Sequence, residues 1–320
     1  MAFQGFPIKV AAQRSGLSTF VIRAWERRYG AVDPGRTESD RRLYTEEEIE
    51  RLILLRQLTN AGHSIGQIAR LPTERLRELV SPSAASAATG GHTVLAPALL
   101  ACQERGFQAI GQLDANGLER ALHNALIHHG RTAVMQQVLV PLIHRIGDAW
   151  QTGELRIAHE HVASAVIRTF LGNFVRAHSG TMNAPVLVVT TPAGQLHELG
   201  ALIVAAAATD QGWEVAYLGP NLPPEEIVGA ALAKKADAVA LSIVYPGDDP
   251  GLPAQLRLLR ELLPAQIPVL AGGRAAAHYQ STLEAIGATL CTDVPSFVRA
   301  LAGLRVARGD KAAGPAASRN

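Results

Sequence analysis

From residue 184 onward the chain alternates short β-branched runs with amphipathic stretches, and this alternation constrains the fold more than any other feature. The runs read VLVVTT, VAYLG, AVALSIV and PVLAGG. Strands separated by helical segments predict a parallel sheet with crossover helices. We therefore expect a Rossmann-like α/β domain over residues 183–305, followed by a disordered tail over residues 306–320.

The rest of the chain predicts a multidomain protein of class α and α/β. Residues 94–180 carry apolar side chains at helical spacing, which predicts a four-helix bundle. Residues 81–93 are small and polar and are typical of a flexible linker. Residues 1–80 are rich in charge, yet the net charge of the whole chain is only +2. Any binding of nucleic acid must therefore depend on a local basic patch.

The two cysteines, Cys102 and Cys291, are far apart in sequence and form neither a CxxC metal site nor a disulfide framework. This usage is typical of a reducing, cytoplasmic environment. No signal peptide is expected at the N-terminus. The longest apolar stretch, residues 201–208, is too short to cross a bilayer, so we expect no membrane association.

Residues 8–15 and 18–29 each predict a short amphipathic helix, and the turn between them ends at Ser18, a candidate N-cap. This is the pattern of a helix-turn-helix. A basic segment follows, and the next helix begins with a capping box of Thr45 and Glu48. Because arginine binds guanine edges and phosphates, the second helix and the basic segment predict binding to double-stranded DNA.

This order of helix, turn, helix and basic wing resembles the MerR family of winged helix-turn-helix regulators. The matching residues are Ile8-Lys9-Val10-Ala11-Ala12, Gly16-Leu17-Ser18, Arg23-Ala24-Trp25-Glu26-Arg27 and Arg42-Leu43-Tyr44. The resemblance implies that the second helix enters the major groove of operator DNA and that the wing lies on the DNA backbone. MerR regulators usually dimerise through a long helix after this domain. Here a linker and a bundle follow instead, so the oligomer contacts must lie elsewhere.

Five residues are candidates for DNA contact by their position: Thr19, Arg23 and Arg27 on the second helix, and Arg42 and Tyr44 on the wing. The alternative is that Trp25 and Tyr44 belong to the core and that the arginines only solvate a helix.

A histidine, His197, follows the first predicted strand of the α/β domain, residues 186–190. In open α/β sheets ligands bind at the carboxyl ends of strands, so His197 lies where a ligand is expected. A lone histidine in such a loop is usually a surface residue. Two later segments, Ser242-Ile243-Val244 and Gly272-Gly273, each end a further predicted strand and make a ligand-binding role stronger.

Together these segments resemble the fingerprint of base-off cobalamin-binding domains. The resemblance implies that His197 binds cobalt as the lower axial ligand, and imidazole suits that metal. It also implies a slot for the displaced nucleotide tail of the cofactor, where a glycine pair permits close approach of the backbone. The other cofactor-binding positions of the fingerprint are Gly200, Ser242, Val244, Gly272 and Gly273.

One position departs from that fingerprint. The family has an acid two residues before the histidine, and its carboxylate accepts the second ring N–H. This chain has Gln195 there. A glutamine carbonyl can accept the same bond, so we expect His197 to keep its tautomer and to be a somewhat weaker donor to cobalt. Glu198 is an alternative partner, whose direction the sequence leaves open.

The predicted bundle suits a cap over the upper face of a cobalamin. Within it, Trp150 is followed by Glu160 and His161, which resembles the Trp-x9-Glu-His motif of CarH/CarA-type regulators, the cobalamin-dependent branch of the MerR family. The resemblance implies that these three residues surround the adenosyl group on cobalt. The alternative is that Trp150 belongs to the bundle core and that Glu160 and His161 are a solvated pair.

The resemblance to that branch implies a light-responsive repressor that uses adenosylcobalamin. A homotetramer binds the operator in the dark, and light breaks the cobalt–carbon bond and loosens the assembly. Some light sensors of this branch carry a histidine directly after the Trp, which captures cobalt after photolysis. Because this chain has Gln151 there, a stable bis-histidine photoproduct is disfavoured.

Two other functions compete with this one. A cobalamin-dependent mutase or methyltransferase subunit needs a substrate barrel or a partner protein. The chain has no room for a barrel, so we expect no enzyme. The second alternative is a regulator that does not sense light, in which cobalamin is absent, structural, or replaced by a protein partner or another tetrapyrrole. Gln195 and Gln151 leave this second alternative open.

Overall fold

The computed structural model divides the chain into two compact units, residues 1–167 and residues 168–320. It describes residues 5–37, 40–60, 63, 65–80, 97–176 and 184–312. The predicted linker, residues 81–93, lies outside the described residues. The division falls inside a helix, earlier in the chain than the predicted boundary between bundle and α/β domain.

The N-terminal residues form the predicted winged helix-turn-helix. Its helices are α1 (Ile8–Ser15), α2 (Thr19–Tyr29), α3 (Glu46–Asn60), α4 (Ile65–Ile68) and α5 (Thr73–Val80). Its strands are β1 (Phe6–Pro7), β2 (Gly35–Arg36) and β3 (Arg42–Tyr44), paired antiparallel in the order β1-β3-β2. The Ser18 side chain accepts a hydrogen bond from the Val21 amide at 3.2 Å, so the predicted N-cap of α2 is confirmed.

The capping box at the start of α3 is also confirmed. The Glu48 amide donates to Thr45 Oγ1 at 3.2 Å, and the Thr45 amide donates to Glu48 Oε2 at 2.9 Å. Each bond satisfies a backbone donor that the first helical turn leaves without a partner. Helix α3, which follows the basic wing, therefore begins with two capping hydrogen bonds.

Helices dominate the next part of the chain, as the apolar spacing predicted. They are α6 (Pro97–Gly111), α7 (Ala115–Val134), a π-helical turn (Met135–Leu139), α8 (Val140–Gln151) and α9 (Ile157–Arg176). Helix α7 is kinked at Gly130, whose φ of 74° lies in the left-handed region that glycine tolerates. The N-terminal region packs against this bundle: Trp25 Nε1 donates to the carbonyl of Ile127 on α7 at 2.8 Å.

The C-terminal unit contains the predicted parallel sheet. Its strands are β4 (Val186–Thr190), β5 (Glu214–Tyr217), β6 (Ala238–Ser242), β7 (Val269–Gly272) and β8 (Thr289–Cys291). Neighbouring strands are parallel throughout, in the order β5-β4-β6-β7-β8. Its helices are α10 (Leu199–Asp210), α11 (Pro224–Ala233), α12 (Leu252–Leu262), α13 (Gln280–Ala285) and α14 (Val294–Ala312). The short edge strand β8 was not among the predicted runs.

The C-terminal tail requires a correction. We expected disorder from residue 306, but α14 continues to Ala312. Residues 306–312 read VARGDKA and have no strong helix preference of their own, so their helix is the continuation of one that begins at Val294. Residues 313–320 lie outside the described residues.

Both faces of the sheet are covered, which explains its continuous hydrophobic runs. Val188, Val239 and Leu241 face a cluster to which α11 and α12 contribute. Leu187 and Val189 face the alanines of α10 on the other side. Within the described part of the chain, no helix combines the length and the apolar character needed to span a membrane.

Candidate functional site

The predicted histidine lies at the topological switch point of the sheet. Strands β4 and β6 are neighbours at its centre, and the helices that follow them, α10 and α12, cover opposite faces. A crevice therefore opens at the carboxyl ends of these two strands, where ligands of open α/β sheets bind. The loop after β4 carries His197, and Ser242 is the last residue of β6.

The imidazole of His197 is exposed, so its ring nitrogens are accessible to a ligand. Its ring meets the edge of Tyr245, with centroids 5.7 Å apart and an interplanar angle of 83°. Leu196 and Tyr245 are themselves exposed large side chains beside it. Among the described residues, neither ring nitrogen of His197 has a hydrogen-bond partner.

Gln195 is not the partner of His197, which corrects the expectation from sequence. Its buried side-chain carbonyl accepts the amides of Val244 at 2.9 Å and Tyr245 at 3.0 Å, and its Nε2 donates to the carbonyl of Pro246 at 3.1 Å. An amide oxygen has two lone pairs, and both are used. Gln195 therefore joins the loop after β4 to the loop after β6.

Glu198, the alternative partner, also points elsewhere. One carboxylate oxygen accepts a hydrogen bond from Arg168 Nε on α9, and the other accepts one from the hydroxyl of Tyr217 on β5. Burial, together with this carboxylate, raises the pKa of Tyr217 well above its ordinary value, so the phenol stays protonated and donates. Sequence reasoning missed Arg168 and Tyr217, because no spacing signal connects them to the histidine loop.

The residues at the switch point fit a cofactor that inserts a tail between the strands. Ser242 Oγ is buried and has no hydrogen-bond partner among the described residues. A buried hydroxyl without a partner is costly, so a ligand atom that completes its bonding would be stabilised there. A Cβ on Gly200 would lie 2.6 Å from this oxygen, so only glycine leaves the hydroxyl its place.

The fold itself requires glycine at both positions of the pair Gly272-Gly273. A Cβ on Gly272 would lie 2.8 Å from the carbonyl of Cys291 on β8. At Gly273, φ is +103° and a Cβ would lie 2.3 Å from the carbonyl of Ile243. The pair thus lets the strand end pack closely on its neighbours. That role is compatible with the predicted cofactor slot.

The predicted cap residues lie on two helices of the bundle. Trp150 is the next-to-last residue of α8 and is 37% exposed, so it is not a core residue. Glu160 and His161 lie in the first turns of α9 and pair with each other, with His161 Nδ1 2.8 Å from Glu160 Oε2. Ser164 donates to the other oxygen of Glu160. All three candidates therefore keep surface that a ligand can contact.

Helix α2, the second helix of the helix-turn-helix, presents a basic cleft. Arg23 and Arg27 are exposed, and Thr19 is half-buried. The residues lining the cleft are Phe20, Arg23, Ala24, Arg27, Arg28, Arg42 and Ile127. The guanidinium groups gather on one side of α2, which suits contact with phosphates or guanine edges.

The two residues predicted to contact DNA from the wing, Arg42 and Tyr44, differ in exposure. Arg42 keeps part of its surface and forms an ion pair with Glu26 at 2.8 Å. Tyr44 is fully buried, and its hydroxyl donates to Glu26 at 3.3 Å, so it belongs to the core and does not contact DNA. Burial raises the pKa of Tyr44. Glu26 thus joins the wing to α2, a role that its sequence distance from Arg42 did not reveal.

Comparison with known proteins gives matches to three family models. The model described as "MerR HTH family regulatory protein" matches residues 6–74. Two models described as "B12 binding domain" match residues 102–173 and residues 185–293. The helical bundle and the α/β domain therefore both belong to families named for vitamin B12.

Two curated relatives match over most of the chain, both from Myxococcus xanthus. The HTH-type transcriptional repressor CarH is 31% identical over 89% of this chain and 94% of its own length. The HTH-type transcriptional repressor CarA is 30% identical over 88% of this chain and 91% of its own length.

A solved structure of the monomethylamine corrinoid protein of Methanosarcina barkeri is also similar, with 18% identity and a TM-score of 0.49 over 65% of this chain and 99% of that one. With a DNA-binding region, a B12-type bundle and a B12-type α/β domain in the same order as CarH and CarA, this chain belongs to the B12-binding branch of the MerR family of helix-turn-helix regulators.

Proposed function

We propose that this chain is an adenosylcobalamin-dependent, light-responsive transcriptional repressor. The observation that carries the proposal is the switch point of the sheet, where the exposed His197 follows β4 and the buried hydroxyl of Ser242, without a partner among the described residues, ends the neighbouring strand β6. The relatives CarH and CarA, both named as repressors, support the regulatory half of the proposal.

In the C-terminal unit, His197 would be the residue that binds cobalt, and Ser242 with its neighbouring glycines would receive the nucleotide tail. Gln195 holds the two loops together but leaves the imidazole without a carboxylate partner. Neutral imidazole still binds cobalt, although a second-shell carboxylate would make it more basic. We therefore expect a weaker bond from His197 to cobalt than in domains that have the acid.

In the bundle, Trp150, Glu160 and His161 contact the upper ligand. Adenosylcobalamin supplies a cobalt–carbon bond that visible light breaks. The paired carboxylate and imidazole can donate to and accept from the adenosyl group before its loss. Gln151, exposed at the end of α8, would not bind cobalt as a histidine would, so a bis-histidine state is disfavoured and water or another residue would take that position.

At the N-terminus, Arg23 and Arg27 contact operator DNA, with Thr19 beside them and Arg42 on the wing. A homotetramer in the dark places several such helices on one operator, and the effective concentration multiplies affinity. Light favours a looser assembly because the ligand has different affinities for the two states. The protein acts in the cytoplasm, in contact with the nucleoid.

A light-independent regulator is the second candidate, favoured by Gln195, which does not support the cobalt ligand as an acid would. An enzymatic role has less support, because the relatives that match most of the chain are repressors.

The test mixes purified protein with adenosylcobalamin in the dark and records its visible spectrum, gel-filtration size and operator binding before and after green light. We expect a bound pigment, a larger particle in the dark, and loss of DNA binding after light. No bound pigment would contradict the cofactor. A bound pigment without any light-dependent change would leave only the light-independent regulator.

The His197→Ala variant should lose tight binding of the pigment, because the lower ligand is gone. The matched control is His63→Ala, which removes an exposed histidine from the other compact unit. It should bind adenosylcobalamin as the wild type does.

A further inference from the structure

The loop that carries His197 is held in place by hydrogen bonds of the residues on either side of it, Gln195 and Glu198. On one side Gln195 bonds the loop after β6 through three hydrogen bonds. On the other side Glu198 bonds Arg168 and Tyr217. Leu196 and His197 lie between these two fastened residues and are exposed. The direction of the imidazole therefore depends on where its two neighbours are fixed.

The partners of the two residues differ in kind. Gln195 forms hydrogen bonds with backbone atoms of the loop after β6, a loop of the same α/β domain. Glu198 instead bonds one residue of β5 and one residue of helix α9. Its side chain is only 12% exposed, whereas that of Arg168 is 53% exposed. A largely buried carboxylate depends on charge-assisted hydrogen bonds, so its position follows the guanidinium.

Helix α9 also carries the predicted cap residues. Glu160 and His161 precede Arg168 on the same helix by about two turns. A helix moves as a stiff element over that length. Glu198, the residue next to His197, is in turn bonded to Arg168 on this helix.

We propose that Arg168, Glu198 and Tyr217 form a positioning set that couples helix α9 to the orientation of His197. The set deepens the proposed function and rests on it for the identity of the ligand. Through it, a shift of α9 at Arg168 changes how well the histidine is placed to bind cobalt. None of the three residues touches the cofactor in this role; they act through the backbone of the loop.

The first test needs no cofactor. Hydrogen exchange of the backbone amides over residues 194–200 is measured in the cofactor-free full-length protein, for the wild type and for Arg168→Gln. We expect exchange to accelerate by roughly threefold or more in the variant, because the end of the loop at Glu198 is released. The thermal midpoint should fall only slightly, because Arg168 is more than half exposed and the buried Glu198 carboxylate keeps its hydrogen bond from Tyr217.

The second test measures binding of adenosylcobalamin in the dark. Arg168→Gln and Glu198→Gln should each weaken binding by roughly three- to tenfold, and the double variant should be no weaker than the single ones, because they break the same connection. The visible spectrum should show a smaller fraction of cobalt with an axial nitrogen. Arg168→Lys, which keeps the charge, should restore part of both effects.

The matched control is Arg145→Gln, which breaks the Arg145–Glu104 pair in the bundle, where the side chains are 44% and 51% exposed. It should change neither loop exchange nor the axial spectrum. Unchanged exchange and unchanged binding in Arg168→Gln and Glu198→Gln would overturn the coupling. Failure of the wild type to bind any cobalamin would refute the proposed function instead, and the exchange measurement would still decide whether the connection exists.

Discussion

Gly273 shows how one backbone position fixes the candidate site. Its positive φ and its contact with the carbonyl of Ile243 allow the loop after β7 to turn against the loop after β6. From sequence, the glycine pair was interpreted through the cofactor that it would admit. In the structure the same pair is first a condition of folding, because a side chain at either position would enter a neighbouring backbone.

Gly273→Ala should lower the free energy of unfolding of the C-terminal unit by about 2–4 kcal/mol, since the strained φ and the backbone overlap both act against the methyl group. Denaturant titration measures this. The control is Gly303→Ala, an exposed position of α14 where a Cβ meets nothing within 4 Å. There the change should stabilise the helix by up to about 1 kcal/mol, and equal losses in both variants would refute the argument.

At the scale of elements, helix α2 is shared between two neighbours. One side faces the wing through Glu26. The other side packs on α7. There the Tyr29 hydroxyl lies 2.9 Å from His128 Nδ1, and the ring centroids of Phe20 and His123 are 5.1 Å apart. The second helix of the helix-turn-helix is thus packed against the bundle in this structure, and half-buried histidines lie at the contact.

These histidines make the contact sensitive to pH. Burial, then Arg28, lower the pKa of His128 below its ordinary 6.5, and burial, then His128, lower that of His129. In the unfolded chain both groups protonate at their ordinary pKa, so acid favours unfolding. The stability that they contribute is present above pH 6.5 and is lost as the pH falls below it.

The free energy of unfolding of the N-terminal unit should therefore fall between about pH 7.5 and about pH 5.5. Denaturant titrations across this range measure it. His128→Gln with His129→Gln should flatten the curve, whereas replacement of the exposed His144 by Gln should leave it unchanged. Parallel curves for the wild type and the double variant would show that other groups carry the dependence.

At the scale of the whole molecule, DNA binding depends on a local patch, because the chain as a whole carries a charge of only +2. Affinity for operator DNA should therefore come from the cleft beside α2. Each phosphate contact releases counterions, so the logarithm of the binding constant falls linearly with the logarithm of the salt concentration.

Arg27→Ala should reduce the magnitude of that salt slope by about 1 for each bound protomer, and Arg23→Ala should cost about 1–3 kcal/mol if it contacts a base. Binding to labelled operator at several salt concentrations measures both. The control is Arg75→Ala, an exposed arginine on α5 outside the cleft. A loss at Arg75 equal to that at Arg27 would mean that the cleft is not the binding surface.

The sequence by itself determined the kinds of element and their order, because hydrophobic period, capping residues and turns act over a few neighbouring residues. It correctly predicted the helix-turn-helix, the bundle, the first four strands of the parallel sheet and the place of His197 after β4. It also named the residues of the family fingerprints. It did not predict β8, which is short, or the continuation of α14.

Only the tertiary structure decided which side chains meet across elements. Gln195 could accept a bond from His197 by spacing, yet two amides of the loop after β6 occupy its carbonyl. Tyr44 could face DNA, yet it is buried against Glu26. Arg168 joins Glu198 across thirty residues. Such pairings depend on how distant segments pack against each other. The local hydrophobic pattern of the sequence does not encode that packing.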